Sequence, residues 1–500
     1  MEARISSLYA VLLAVVTATA SAHAQFTFNV HLDSLHAGSN GTGNSVREVP
    51  GGSLVFGWQY SADELEARHI FLRRLDPMGH VISELEYTAG DDRHYATGGM
   101  DPMATMPDGS FVVAVSEGSS FGDSTWLYRY NELGERISRQ YIMSFPAADS
   151  TLHSFYDVTT LSDGGFALCG TIDHATSTAR ALLVRLGADG SVTTVQDYVH
   201  AQALVCVREM PDGGLVVTGY RGPGLDRNVL FRTEPGGDIQ WVRYSGGQGG
   251  GATGSVRVDA NGAVINWNSE RSDDIPIYEE RMVLTKRTST GNLLWERSTV
   301  QGSDCIASDF EKLPDGGFIG TGMKQGKGVL VRYDLEGSML WTREYTVLNG
   351  QHSFGDVELT SDGGFLLTGM AGRFPPLDPD IQTNYVTWVV KTDSVGCVVP
   401  GCQNVGIEEV ALGLDQYLSI SPNPVASGQP LRITFEPPAE YIPQGPLRVA
   451  VVDATGRLVL EEQMGGATLY LSMNKFTSGL YYLHLTDGTR WLAGGKVLVE

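Results

Sequence analysis

Apolar and polar residues alternate with a period of two along most of this chain, in short runs broken by glycine-containing turns. That pattern predicts β-strands throughout and leaves no stretch with helical periodicity. The clearest run is Leu313-Pro314-Asp315-Gly316-Gly317-Phe318-Ile319-Gly320-Thr321-Gly322, which reads as strand, tight turn and strand. Proline cannot take a positive φ, so Pro-Asp fits the centre of a type I turn, and the next glycine supplies the left-handed residue of a bulged hairpin.

Related turns recur at Pro50-Gly51-Gly52-Ser53, Pro107-Asp108-Gly109-Ser110, Ser162-Asp163-Gly164-Gly165, Pro211-Asp212-Gly213-Gly214, Ala260-Asn261-Gly262-Ala263 and Ser361-Asp362-Gly363-Gly364. With the third residue as the aligned glycine, the copies fall at 52, 109, 164, 213, 262, 316 and 363. A spacing of this size points to propeller blades or another repeat array. After each hairpin comes a second phrase with an apolar start, a basic residue and a glycine-ended turn, as in Leu330-Val331-Arg332-Tyr333-Asp334-Leu335-Glu336-Gly337. It predicts a third strand, and stretches such as Ile239 to Tyr244, Leu293 to Thr299 and Met339 to Tyr345 predict a fourth. Four antiparallel strands per repeat describe a propeller blade.

The first three strands occur seven times, whereas a full fourth strand follows only six of the third strands, because the chain after Gly396 reads Cys397-Val398-Val399-Pro400-Gly401-Cys402. The N-terminal stretch Phe26 to Leu32 has β composition and can supply the missing strand. The expectation is an all-β chain: a seven-bladed β-propeller over residues 25–402, closed by strand 26–32, then an acidic linker at 403–415. Residues 416–500 carry a different pattern, with strand candidates at Leu431 to Phe435, Leu447 to Asp453, Arg457 to Gln463, Thr468 to Ser472, Gly479 to Thr486 and Trp491 to Val499. A small Ig-like β-sandwich fits that spacing.

Composition narrows the setting. The chain has 500 residues and a formal net charge of -23, which argues against nucleic acid and anionic lipid as partners. Residues 1–24 read as a signal peptide, with Arg4 before an apolar run and Ala22-His23-Ala24 as the small-residue site, so cleavage is expected between Ala24 and Gln25. No later stretch has the length and apolarity of a transmembrane helix. Of five cysteines, Cys397 and Cys402 are separated by a turn-forming Val-Val-Pro-Gly and are expected to pair, while Cys169, Cys206 and Cys305 read as buried strand thiols, with a second bridge the alternative.

Four motifs near the C-terminus occur in order: Ser421-Pro422-Asn423-Pro424-Val425, Val451-Val452-Asp453-Ala454-Thr455-Gly456-Arg457-Leu458-Val459, Thr477-Ser478-Gly479-Leu480-Tyr481-Tyr482-Leu483 and Lys496-Val497-Leu498-Val499. Together they resemble the type A C-terminal sorting domain of type IX secretion cargo. Pro422, Asn423, Pro424, Asp453, Gly456, Arg457, Gly479, Tyr481 and Lys496 carry the match. The resemblance implies export by the general secretory route, recognition by the type IX secretion machinery, and release or surface attachment in a Bacteroidota-type bacterium. The seven repeats look like the degenerate propeller repeats of such cargo, a resemblance that implies a fold and no ligand.

Candidate chemistry is sparse. Each turn offers one carboxylate, far from the six to eight oxygens calcium takes, and the denser Asp273-Asp274 and Asp378-Pro379-Asp380 lack a calcium-loop pattern. Trp241, Trp295 and Trp341 recur at one position of successive fourth strands, which favours packing over a carbohydrate platform. His153, His174 and His352 have no recognisable partners, and no Gly-x-Ser-x-Gly or His-Glu-x-x-His motif is present. No catalytic residue, metal or cofactor is therefore assigned. The sequence supports a secreted or cell-surface binding or adhesion propeller, monomeric, with an extracellular glycan or protein as ligand and its contacts in the loops of one face and the channel mouth. A polysaccharide hydrolase or lyase on the same scaffold, or a spacer without a ligand site, are the rival readings.

Overall fold

The computed structural model describes residues 27–32, 40–60, 68–87, 93–96, 101–119, 122–146, 152–173, 179–221, 228–246, 254–271, 280–373, 384–398, 402, 414, 417–438, 441, 445–453, 457–487 and 490–500. The cleavage pair Ala24-Gln25, His174, the acidic pairs at 273–274 and 378–380, most of the linker and Gly456 lie outside them.

The described strands before residue 400 form seven antiparallel sheets. Strand β1 (Phe28–Leu32) belongs to the last of them. The first comprises β2 (Gly41–Val49), β3 (Gly52–Tyr60), β4 (Arg68–Leu75) and β5 (Val81–Tyr87). In the second, the inner edge is shared by β6 (Arg93–Ala96) and β7 (Met103–Thr105), followed by β8 (Phe111–Ser119), β9 (Gly122–Tyr130) and β10 (Arg136–Pro146). The third runs through β11 (Leu152–Thr160), β12 (Phe166–Asp173), β13 (Arg180–Leu186) and β14 (Val192–Tyr198), and the fourth through β15 (Ala203–Glu209), β16 (Leu215–Tyr220), β17 (Asn228–Thr233) and β18 (Ile239–Ser245). The fifth holds β19 (Gly254–Val258), β20 (Val264–Arg271), β21 (Glu280–Arg287) and β22 (Leu293–Gly302). The sixth holds β23 (Cys305–Lys312), β24 (Phe318–Lys324), β25 (Lys327–Tyr333) and β26 (Met339–Tyr345). The seventh orders β27 (His352–Leu359), β28 (Phe365–Arg373) and β29 (Asn384–Thr392), with β1 as its outer strand. The first strands of the second to seventh sheets each touch the next sheet, β2 meeting β27 and β28, and Arg47 of β2 bonds Met103 of β7, so the array is a closed β-propeller.

The repeated turn is built as its residues require. In the sixth sheet, Gly316 has φ +87° and donates to the Leu313 carbonyl at 2.9 Å, while the Asp315 carboxylate accepts from the Gly317 N–H at 3.0 Å. That aspartate also meets the basic residue of the third strand, Arg332. The same lock joins Asp108 to Arg129, Asp212 to Arg232 and Asp362 to Lys391, so the two repeated phrases are partners within one sheet.

The first turn departs from the others. Glu48 pairs with Ser53 in register, whereas Glu209 pairs with Leu215, so the first turn is one residue shorter. The residue it lacks is the aspartate. The glycine near the φ of about +80° that the other turns share is Gly51, at +77°, while the aligned Gly52 lies at +150°. Arg74, in the place of the basic partner, bonds the Pro50 carbonyl instead, and its Nε is buried without a protein partner.

Neighbouring sheets interlock through the same register position. Trp241, Trp295 and Trp341 cover the turn glycines Gly291, Gly337 and Gly396 of the next sheet, and a Cβ on any of these glycines would come within 2.7–2.8 Å of an indole ring. In the seventh sheet Phe28 opposes Lys391 as Trp341 opposes Arg332, and it covers Gly79 of the first sheet. Packing is the role of these aromatics.

The C-terminal residues form two facing sheets. One holds β30 (Leu418–Ser421), β31 (Pro430–Phe435) and β34 (Thr468–Ser472). The other holds β32 (Leu447–Asp453), β33 (Leu458–Gln463), β35 (Gly479–Asp487) and β36 (Arg490–Val499). Between them lies a core that includes Val425, Leu431, Ile433, Val449, Val451, Leu483 and Val497. Strand β30 and a short 3-10 turn at Met473–Lys475 have no counterpart in the strand pattern read from sequence.

Candidate functional site

Charged side chains on the first strands of the sheets bond to one another across the interfaces. Asp157 of β11 accepts from the Val207 N–H at 2.7 Å and from Arg208 of β15 at 2.5 Å. Five residues after Asp157, Ser162 donates its N–H and hydroxyl to Glu209. The same four-residue stitch recurs across the closing seam. Asp356 of β27 accepts from the Val46 N–H at 2.8 Å and from Arg47 at 2.9 Å, and Ser361 donates to Glu48. A serine at this turn position has an N–H to satisfy, which proline lacks, and a glutamate on the next inner strand satisfies it.

Arg47 reaches further than Arg208. Its second guanidinium nitrogen grips both oxygens of Asp101, at 2.8 and 2.7 Å, and the Met103 carbonyl, so one side chain ties the seventh, first and second sheets. Arg257 makes a third knot with Asp309 and Glu311. Burial opposes the Arg47 charge, but Asp101, Asp356 and Glu358 outweigh it and hold the guanidinium well above its ordinary value. Burial pushes Asp356 upward, Asp157 to about 6 and Glu358 to about 7, against the pull of the arginines. These carboxylates are engaged in holding the ring, and among the described residues no group of three or more His, Cys, Asp or Glu side chains is placed to hold a metal ion.

Other candidate residues have structural partners. His352 accepts the Val347 and Leu348 N–H groups, and burial lowers its basicity. His153 lies 2.5 Å from the Thr125 hydroxyl and burial pulls it down to about 4. Cys397 and Cys402 form a disulfide, whereas Cys169, Cys206 and Cys305 are buried and unbridged.

Between the seventh and first sheets, on the face of the tight turns, opens a cleft of about 490 Å³. Its apolar wall is Phe28, Val49, Pro50, Pro77 and Leu366, and its polar side carries Glu48, Asp76, Asp362, Lys391 and Ser53. Volume and mixed lining match small-molecule sites. Residues of the tight turns line it, and no repeat in the sequence marked it.

Within the C-terminal sandwich the sorting-motif residues meet in pairs. The Asn423 amide donates to the Lys496 carbonyl at 2.7 Å and accepts the Leu498 N–H at 3.0 Å, so the Pro422-Asn423-Pro424 segment is fastened to β36. Asp453 accepts from the Arg457 backbone and guanidinium, closing the turn between β32 and β33. Tyr481, two residues after Gly479, packs edge-on to Phe476 and donates to the Thr477 carbonyl.

Residues 419–500 match the family described as secretion system C-terminal sorting domain. No curated protein matches the chain. Solved structures with a similar course include a protein of unknown function from Bacteroides caccae, 11% identical with TM-score 0.35, covering 62% of this chain and 94% of that one. A protein of unknown function from Dyadobacter fermentans is 10% identical with TM-score 0.39, over 61% and 98% of the two chains. The β-propeller domain of the Trilobed protease from Pyrococcus furiosus is 9% identical with TM-score 0.39, over 70% and 95%.

Proposed function

We infer that this chain, which its C-terminal sorting domain makes a cargo of the type IX secretion system, is a binding module that works outside the cell, released or held at the surface. In this reading residues 1–24 direct passage into the periplasm, residues 25–402 are the functional ring, 403–415 a connector and 416–500 the address read by the secretion machinery. The observation that carries the binding reading is the cleft at the closing seam, which is open to solvent and lined by apolar and polar side chains together. The first-strand carboxylates support binding over hydrolysis, since Asp157 and Asp356 are committed to arginines and backbone N–H groups.

Two measurements test this. Deletion of residues 416–500 is expected to retain the protein in the periplasm, and its continued appearance in the medium or at the surface would refute the export reading. The full-length secreted protein, applied to glycan and extracellular-protein arrays, is expected to bind at least one class without consuming it. Absence of any binding refutes the module, and release of reducing sugar replaces it with a hydrolase.

A further inference from the structure

At the seam cleft one packing position is filled by a polar residue where the other six sheets use an apolar one. The residue of each second strand that pairs with the last residue of the third strand packs at the interface with the preceding sheet. It is Phe111, Phe166, Leu215, Val264, Phe318 and Phe365 in six sheets, all buried. In the first sheet it is Ser53, 4% exposed, whose hydroxyl has no protein partner. Opposite that position the preceding sheet offers Trp341 at the sixth interface, 6.4 Å from the Phe365 ring, but Phe28 at the seam. Set against the sixth interface, serine stands for phenylalanine and phenylalanine for tryptophan, so the seam carries smaller side chains at both positions. A buried hydroxyl without a partner costs free energy unless something else satisfies it. The ring keeps this arrangement at one interface of seven.

We propose that the cleft holds a neutral or amino-bearing sugar ring, a reading that rests on the binding function inferred above and assigns it a place and a ligand class. A pyranose has an apolar C–H face and a rim of hydroxyl donors. The cleft lining includes Phe28, Pro50 and Pro77 together with Asp362, the Ser53 hydroxyl and Glu48, whose carboxylate already accepts from Ser361. Aromatic and proline surfaces suit the C–H face, and carboxylates suit hydroxyl and ammonium donors. Charge decides against an acidic ligand: Glu48, Asp76 and Asp362 face a single cation, Lys391, which is already paired with Asp362 at 2.8 Å.

The test is titration calorimetry and saturation-transfer NMR of the full chain with glucose, galactose, mannose, glucosamine and glucuronate. At least one neutral or amino sugar is expected to bind, and glucuronate is not. Ser53→Phe installs the residue type that four of the other six sheets use and fills the cleft. It is expected to fold with an unchanged or raised melting temperature and to lose binding at least about tenfold. Ser53→Ala leaves the space and removes the hydroxyl, and is expected to weaken binding by a smaller factor; it also serves as the reporter if Ser53→Phe is destabilised. Binding unaffected by either change overturns the seam site while leaving the binding module standing, because the sugar then sits elsewhere. Preference for glucuronate overturns the ligand class, and no binding of any sugar together with silent arrays overturns both readings.

Discussion

Arg47→Met probes the closure of the ring most directly. The arginine donates to Asp356 across the closing seam, to both oxygens of Asp101 in the second sheet, and to the Val46 and Met103 carbonyls. Methionine keeps most of the side-chain stem and removes the charge, leaving Asp356, only 2% exposed at its side chain, without a cation. Breaking a buried ion pair by removing one partner costs about 3–5 kcal/mol. Arg208→Met at the third interface strands one carboxylate, Asp157, and keeps every other contact of the ring. The Arg47 change strands two, so it should cost more by roughly 1.5–3 kcal/mol, the range for hydrogen bonds to charged groups. Urea unfolding followed by tryptophan fluorescence measures both losses, and amide exchange in β1, β2 and β29 locates the first. Adding Asp356→Asn and Asp101→Asn to Arg47→Met removes the stranded charges and should recover about half of the loss. A loss below about 1 kcal/mol for Arg47→Met, equal to that of Arg208→Met and insensitive to the asparagine changes, would refute the claim that this side chain closes the ring.

Other outcomes follow from the same geometry. Asp157 and Glu358 have folded-state values raised to about 6 and about 7 by burial, so their contribution to stability is complete below about pH 4, the range where they titrate unfolded, and is lost as pH rises through those values. Melting temperature should therefore fall from about pH 4 toward 7, and Asp157→Asn with Glu358→Gln should flatten that slope; a slope that survives both changes would count against it. Trp295→Ala uncovers Gly337 and should cost about 2–3 kcal/mol in urea unfolding, somewhat below a fully buried tryptophan, with sugar binding at the distant seam unchanged. Asn423→Ala cuts both links between the Pro422-Asn423-Pro424 segment and β36 and should reduce the amount of protein reaching the surface, read by whole-cell protease accessibility; wild-type surface levels would show that the fastening is dispensable for sorting.

Much of the fold was legible because its signals are local. Pro314-Asp315-Gly316 specifies a turn within five residues, and hydrophobic alternation specifies which face of each strand is buried. The basic residue of the third strand was visible as a recurring letter, but its partner was not, since Asp315 and Arg332 meet only when the hairpin folds. The first turn was misaligned by one residue because Pro50-Gly51-Gly52 contains two glycines, and only the strand register shows that the aspartate is the residue missing. The cleft left no motif at all. Its signal is a serine in a column of phenylalanine, leucine and valine, readable once the register defines the column.

By itself, then, the amino-acid order determined the all-β class, the repeating hairpins and the C-terminal sorting signal, because each depends on contacts between residues close in the chain or on motifs read in linear order. Tertiary structure alone decided which charges close the ring and where it is hollow. Arg47 and Asp356 are 309 residues apart and Ser53 faces a strand from the other end of the ring, so their meeting is a property of closure. Long-range pairing of this kind carries no periodicity, since side chains become neighbours only after seven sheets have set the distance between them.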